Sequence, residues 1–207
     1  NGRANKSILP TSSDVVTGAY KSTAQSLAAT FYANTYPYSE IVFENSPLGR
    51  PYKQFGPGLA WRTLGSEKFV EMQYLTAGSG VIRFDVQANG TISGANNYSS
   101  NTLYSNVSIS ERGFYTYELK DKQGRVTHKI QQLDSAPTYA TTAFCYNNLG
   151  QLAAVITPEA YKLFGIGTGQ ITSLAESNNI YQELVFGYHY DALGRLSEIQ
   201  KDGQIQT

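Results

Sequence analysis

The sequence predicts a mainly β fold: antiparallel hairpins forming an extended, curved sheet, with one N-terminal helix and two short helices further on. Three observations carry this. Tyrosine and glycine are abundant, at 16 and 19 residues, while charged residues are only 15%. Tyr and Thr favour the pleated, half-buried surface of a strand, and Gly and Asn favour turns. From Glu40 onward the apolar residues alternate with polar ones, the period of a strand with one covered face. A turn ending in glycine recurs between the alternating segments.

The elements follow in order. Tyr20, Ala24, Leu27, Ala28 and Phe31 share one face at helical spacing, so a helix is expected over 19–32, capped by Thr17 and ended by Tyr36-Pro37-Tyr38. Ile41 and Phe43 begin the strands. Ser46-Pro47-Leu48-Gly49 has the residue types of a type I turn. Gly56-Pro57-Gly58 is a further break. Val70, Met72 and Tyr74 share a face, as do Ile82, Phe84 and Val86, and Asn89-Gly90 is a short hairpin signal. Tyr115, Tyr117 and Leu119 lead into Asp121-Lys122-Gln123-Gly124, and Val126, His128 and Ile130 lead away. Phe144 and Tyr146 lead into Asn147-Asn148-Leu149-Gly150. Thr157-Pro158-Glu159 starts a short helix expected near 158–164, and another is expected near 170–178. Leu184, Phe186, Tyr188 and Tyr190 form a strand face that ends at Asp191-Ala192-Leu193-Gly194. Asp202-Gly203 starts one more turn.

Composition excludes some functions. Sixteen Lys and Arg balance sixteen Asp and Glu, which argues against a nucleic-acid partner. The single cysteine, Cys145, allows no internal disulfide. No apolar run reaches the length of a membrane-spanning helix. The chain opens on Asn1-Gly2-Arg3 without Met and stops in strand-like residues 204–207, so it is expected to be a piece of a longer polypeptide.

Set side by side, the turns form a family of their own. Asp121-Lys122-Gln123-Gly124-Arg125-Val126 matches Asp191-Ala192-Leu193-Gly194-Arg195-Leu196. Asn147-Asn148-Leu149-Gly150-Gln151-Leu152 is a weaker copy, and Ser46-Pro47-Leu48-Gly49-Arg50 a distant fourth. Asp or Asn at the first position can accept backbone N–H groups further round the turn. Gly at the fourth takes positive φ without steric cost and forms a G1 bulge. Arg leaves the turn where it can cover an aromatic face or reach a carboxylate. Each hairpin cannot bury its own face, so neighbours must.

Tyr190-Asp191-Ala192-Leu193-Gly194-Arg195-Leu196 resembles the Y-D-x-x-G-R-L unit of YD repeats in the Rhs family, very large bacterial surface or secreted proteins. FENSPLGRPYKQFGPGLAW (43–61), TLYSNVSISERGFYTYELKDKQGRVTHKI (102–130) and CYNNLGQLAAVITPEA (145–160) are similar to successive parts of Rhs-type proteins of Bacteroidetes. The resemblance implies an N-terminal Rhs-associated region over 1–112 and YD-repeat-like hairpins over 113–207, with a helical insertion at 157–180. It further implies a secreted or cell-surface, non-catalytic segment of a β-shell that encloses a downstream effector. Its partners would be further YD repeats of its own polypeptide. The motif residues carried over are Ser46, Gly49, Arg50, Asp121, Gly124, Arg125, Asn147, Gly150, Tyr188, Tyr190, Asp191, Gly194, Arg195 and Leu196, all with structural roles.

Other candidate sites carry bland readings. Gly165-Ile166-Gly167-Thr168-Gly169 lacks the Gly-Lys-Ser/Thr of a phosphate loop and reads as a connector between two short helices. His128 and His189 lie on expected strands, where sheet surface or cross-strand contact is the ordinary role. Acid–base work would need a carboxylate beside one of them in a cleft. Cys145 reads as a small buried hydrophobe. No paired-Cys or His-Glu-x-x-His spacing is present, and no cofactor is expected. The tyrosines leave carbohydrate binding as the alternative function, through a shallow groove with two or three exposed Tyr or Trp61 in a row.

Overall fold

The computed structural model describes residues 3–11, 22–63, 67–136, 138–165, 169–201 and 204–206. The fold is mainly antiparallel β-sheet, open rather than closed into a barrel, as expected. The chain divides into two compact units, residues 1–73 with 108–114, and residues 74–107 with 115–207.

In the first unit, β1 (Lys6–Ile8) pairs with β2 (Tyr38–Phe43), β2 with β3 (Pro51–Phe55), and β3 with the start of β4 (Val70–Ala77), all antiparallel. Helix α1 spans Ala24–Phe31 and buries Ala28. The N-terminal part of the expected helix and its Thr17 cap lie outside the described residues. Arg62 pins the unit together. Its guanidinium meets Glu40 at 2.7 Å and lies over the rings of Tyr36, Tyr38 and Phe55, at 5.0, 5.4 and 4.5 Å. Trp61 packs its indole where a side chain at Gly56 would stand, so it is half-buried.

The second unit holds the rest of β4 and the hairpin series. Strands β7 (Leu103–Ile109), β8 (Tyr115–Lys120), β9 (Val126–Gln132), β10 (Tyr139–Tyr146), β11 (Leu152–Ile156), β13 (Val185–Tyr190), β14 (Leu196–Lys201) and β15 (Gln204–Gln206) lie side by side in that order, with Ser108 and Ile109 of β7 belonging to the first unit. A smaller sheet has the order β12 (Ser173–Leu174), β6 (Ile92–Asn97), β5 (Ile82–Val86). It covers one face of β10, β11 and β13 together with helices α2 (Pro158–Tyr161) and α3 (Asn179–Leu184). The core between them holds Phe84, Ile92, Cys145, Ile156, Phe164, Leu174, Tyr181 and Val185. Full burial of an aliphatic side chain such as Ile92 or Leu174 contributes about 2–3 kcal/mol.

The excursion from β11 to β13 is closed at its base. Thr157 caps α2, accepting from Ala160 N, and its hydroxyl donates to Leu184 O at 2.7 Å. The helix expected near 170–178 is not there. Ser173 and Leu174 pair with Ser93 and Ile92, and the helix starts later, where Asn178 caps Ile180 N at 2.9 Å. A short apolar run reads equally as strand or helix, and the exposed edge of β6 decided it. The glycine-rich connector therefore joins α2 to β12. It closes on itself by Gly165 N to Ile171 O at 3.1 Å, and residues 166–168 lie outside the described set.

Candidate functional site

The feature built with most repetition is the turn. Asp121 N donates to Arg125 O at 3.0 Å and Gly124 N to Asp121 O at 3.0 Å, and Gly124 sits at φ +81°. The Asp121 Oδ1 accepts from Gln123 N and Arg125 N, both 2.9 Å. Its Oδ2 accepts from Arg125 Nε and Nη2, both 2.7 Å. Thus one carboxylate closes the turn on one oxygen and holds the outgoing arginine on the other.

Asp191 and Arg195 repeat every one of these bonds around Gly194 at φ +76°. Asn147 and Gln151 repeat them without charge. Asn147 Oδ1 accepts from Leu149 N and Gln151 N, both 3.0 Å, and Asn147 Nδ2 donates to Gln151 Oε1 at 2.9 Å. The two departures in this copy compensate each other. The Ser46 turn keeps one of the two backbone bonds, Gly49 N to Ser46 O at 3.0 Å with Gly49 at φ +54°, while the closing bond runs from Glu44 N to Arg50 O at 2.9 Å. Its carboxylate comes from Glu44, which holds Arg50 Nε at 2.8 Å and accepts from Ser46 Oγ at 2.7 Å. The Glu44 carboxyl is drawn down to about 2, first by the Arg50 side-chain bond and then by Ser46.

Two further copies escaped the sequence pattern. Ser110 to Gly113 and Gln87 to Gly90 form the same backbone turn, each with its glycine near φ +80°. In the second, Asn89-Gly90 supplies the last two positions of a four-residue turn rather than the whole loop. A small residue or amide leading and Gly three places on was the available signal.

The turns are joined to one another. Tyr146 Oη, just before Asn147, donates to Val126 O at 2.8 Å, and Tyr190 Oη, just before Asp191, donates to Leu152 O at 2.9 Å. Both acceptors lie two residues past the glycine of the previous turn. The Arg125 guanidinium lies 4.6 Å over the Tyr146 ring, and Gln151 Nε2 donates to Gly194 O at 2.9 Å. Hydroxyls add a second, smaller regularity: Thr127 Oγ1 donates to Leu119 O and Ser197 Oγ to His189 O, 3.3 and 3.2 Å, at matching places in their hairpins. Tyr188 lines a cleft of about 270 Å³ with Asn147, Gln151, His189 and Asp191. Leu196 begins the outgoing strand and is 49% exposed.

The histidines separate sharply. His128 is 1% exposed, not at the sheet surface, and sits among the rings of Phe84, Tyr98 and Tyr161 at 6.1, 6.3 and 5.8 Å. Burial lowers its pKa to about 4, so it is neutral at pH 7, and its Nε2 has no hydrogen-bond partner among the described residues. The strand period placed His128 on a face with Val126 and Ile130; the register sets it opposite Leu119 and Ala143, and the period did not say that β5 and α2 would cover it. His189 has the carboxylate that acid–base work would need: its Nε2 meets Glu176 Oε1 at 2.6 Å. A side chain at Gly90 would overlap that carboxylate, so the pair also fastens the β12–α3 connection against the Gly90 turn. Cys145 is buried, and burial raises its thiol pKa. No group of three metal-ligating side chains converges among the described residues. No helix among them is long and apolar enough to cross a membrane.

Comparison with known proteins finds a family match over the N-terminal part of the chain. Residues 1–76 match a family described as a domain of unknown function (DUF6443). That stretch contains β1 to β3, most of β4, and the Ser46–Arg50 turn, but none of the Asp or Asn turns. No curated protein matches the chain.

Proposed function

We propose that this chain is a non-catalytic structural segment of a large Rhs-type surface or secreted polypeptide, a run of wall hairpins that contributes to a β-shell around a downstream effector. The observation that carries the reading is the joint: each of Tyr146 and Tyr190 ties its own turn to the turn before it. Such a device specifies a neighbour rather than a ligand. The His189–Glu176 pair serves here as a strap on the insertion. Electron cryo-microscopy of the secreted polypeptide is the test. Strands β1 and β15 are expected to pair with further strands of a continuous wall; both edges solvated in a free-standing domain would overturn the reading.

A second reading, carbohydrate binding, is favoured by one row of side chains. Tyr139 faces Gln132 across β9 and β10, and Tyr115 N donates to Gln132 Oε1 at 3.2 Å. Tyr115 and Tyr139 are 37% and 43% exposed, and the Tyr117 ring stacks on Tyr115 at 5.9 Å. Flat, uncharged faces beside an amide suit the apolar face and hydroxyls of a sugar. A glycan array should show hits that Tyr115→Ala and Tyr139→Ala abolish; an array without hits ends this reading.

A further inference from the structure

We infer that the groove between helix α3 and strand β14 is a cation site, and that it takes a hard divalent ion, Ca²⁺, held by oxygen atoms alone. The site goes beyond the wall reading and stands whether or not the chain lines a shell.

The groove has a volume of about 480 Å³, and its lining includes Asn89, Glu176, Ser177, Gln182, Glu198 and Gln200. Glu198 and Gln200 stand two apart on β14 and project from one face. Glu176 and Ser177 stand across from them on the β12–α3 connection, and Gln182 on α3.

Two observations point to a ligand. Gln200 is 7% exposed, yet its side-chain amide has no hydrogen-bond partner among the described residues. Buried side-chain amides are ordinarily paired, and the space that Gln200 lines is this groove. The second observation is charge. The Glu198 carboxylate has no ion-pair partner among the described residues, and no Lys or Arg among them lines the groove. Glu176 has its Oε1 fixed by His189 Nε2 at 2.6 Å, which leaves Oε2 for a cation. His189 thus orients a ligand carboxylate rather than binding the ion itself.

The donor set selects the ion. Two carboxylates, the amide oxygens of Gln182 and Gln200 and the Ser177 hydroxyl are hard oxygen donors. They outnumber the three N–H groups of an ammonium. No Cys or His among the described residues lines the groove, so a soft transition metal is not served. Only two of the donors are carboxylates. Ca²⁺ accepts amide oxygens and waters for the rest, whereas Mg²⁺ demands a regular octahedron. The ion ties the β12–α3 connection to β14, as His189 ties it to β13.

The test is calorimetric titration of the full chain, freed of metal by chelation, with CaCl₂ and separately with MgCl₂. Ca²⁺ should bind once per chain with a dissociation constant of about 10⁻⁴–10⁻³ M or tighter, and Mg²⁺ about tenfold more weakly. Glu198→Gln and Gln200→Leu should each weaken Ca²⁺ binding about tenfold. Glu118→Gln, which removes a carboxylate paired with Lys120 elsewhere on the sheet, should leave it unchanged. In the unaltered chain, saturating Ca²⁺ should slow amide exchange over residues 175–177 and 198–200. Full affinity in Glu198→Gln or Gln200→Leu, equal affinity for Mg²⁺, or unchanged exchange in both segments overturns the site. Absence of binding at millimolar Ca²⁺ overturns it too, and leaves the wall reading standing.

Discussion

The turn at Asp191 and the turn at Asn147 have one shape and two chemistries. Both close with a first-to-fifth and a fourth-to-first backbone bond of 2.9 Å, and both place glycine near φ +80°. In both, one side-chain oxygen accepts two N–H groups. Beyond that, Asp191 and Arg195 form an ion pair, while Asn147 and Gln151 form an amide–amide bond. The turn therefore requires an acceptor on one side-chain atom and a complementary partner on the other. Charge is one way to meet the second requirement. An exposed ion pair contributes little by itself, about 0–1 kcal/mol, so an amide pair can replace it at small cost. Gln151 also shows what the outgoing residue is for, since it reaches the next glycine's carbonyl at 2.9 Å.

The largest expected effect limits the conditions under which the two turns can be compared. His128 is neutral in the folded state, with its pKa lowered to about 4 by burial, and titrates near 6.5 when unfolded. The unfolded chain binds the extra proton first. Stability is thus fully present above pH 6.5 and is lost as pH falls from there to about 4. The loss from this group is on the order of 3 kcal/mol. Urea denaturation at pH 7 and pH 4 measures it. His128→Leu should flatten stability across that window; an unchanged slope would show that the imidazole is solvated.

Removing the first residue of a turn comes next. Asp121→Ala takes the acceptor from Gln123 N and Arg125 N and strands a half-buried guanidinium, and should cost about 2 kcal/mol. Asn147→Ala loses the same two N–H bonds but strands only an amide, and should cost about 1 kcal/mol. Equal costs would mean that the charge in the Asp121 turn contributes nothing beyond geometry.

A mixed turn should be worse than either pure one. Gln151→Arg sets a guanidinium against the Asn147 Nδ2 donor, for about 1 kcal/mol of destabilisation. Adding Asn147→Asp should restore stability. The coupling in this double-mutant cycle, read by chemical denaturation, is the measure of compensation. Additive effects would make the paired departure a coincidence.

The alternation and the turn residues were legible in the sequence because both are local. Asp, Asn, Gly and Arg stand where the backbone bonds need them, and Ile82, Phe84 and Val86 alternate because β5 has a covered face. What was not legible depended on which elements meet. Ser173 and Leu174 became a strand because β6 offered an edge. His128 became core because β5 and α2 cover it. The Glu44 partner of Arg50 was hidden by the expectation that the carboxylate stands at the turn's first position. The tyrosine joints needed the register between hairpins, which the spacing of the turns alone does not contain.

The smallest effect separates the two chemistries most cleanly. The Asp191 carboxyl is held below its ordinary pKa, first by the Arg195 N–H, then by the Arg195 side chain, then by the Leu193 N–H. Its stabilisation is present above the unfolded carboxyl value and is lost as pH falls through the folded one. Asn147 has no proton to take up. In the His128→Leu background, acidification below pH 4 should move the Leu193 and Arg195 amide resonances and leave those of Leu149 and Gln151 in place. The Arg50 amide of the Ser46 turn should move near pH 2, where the Glu44 carboxyl takes up its proton. Joint movement of all these amides would mean that acid unfolds the sheet as a whole before any turn opens, and the neutral turn would then have no separate acid resistance. Independent movement would show that amide pairing keeps a hairpin closed where ion pairing lets it go.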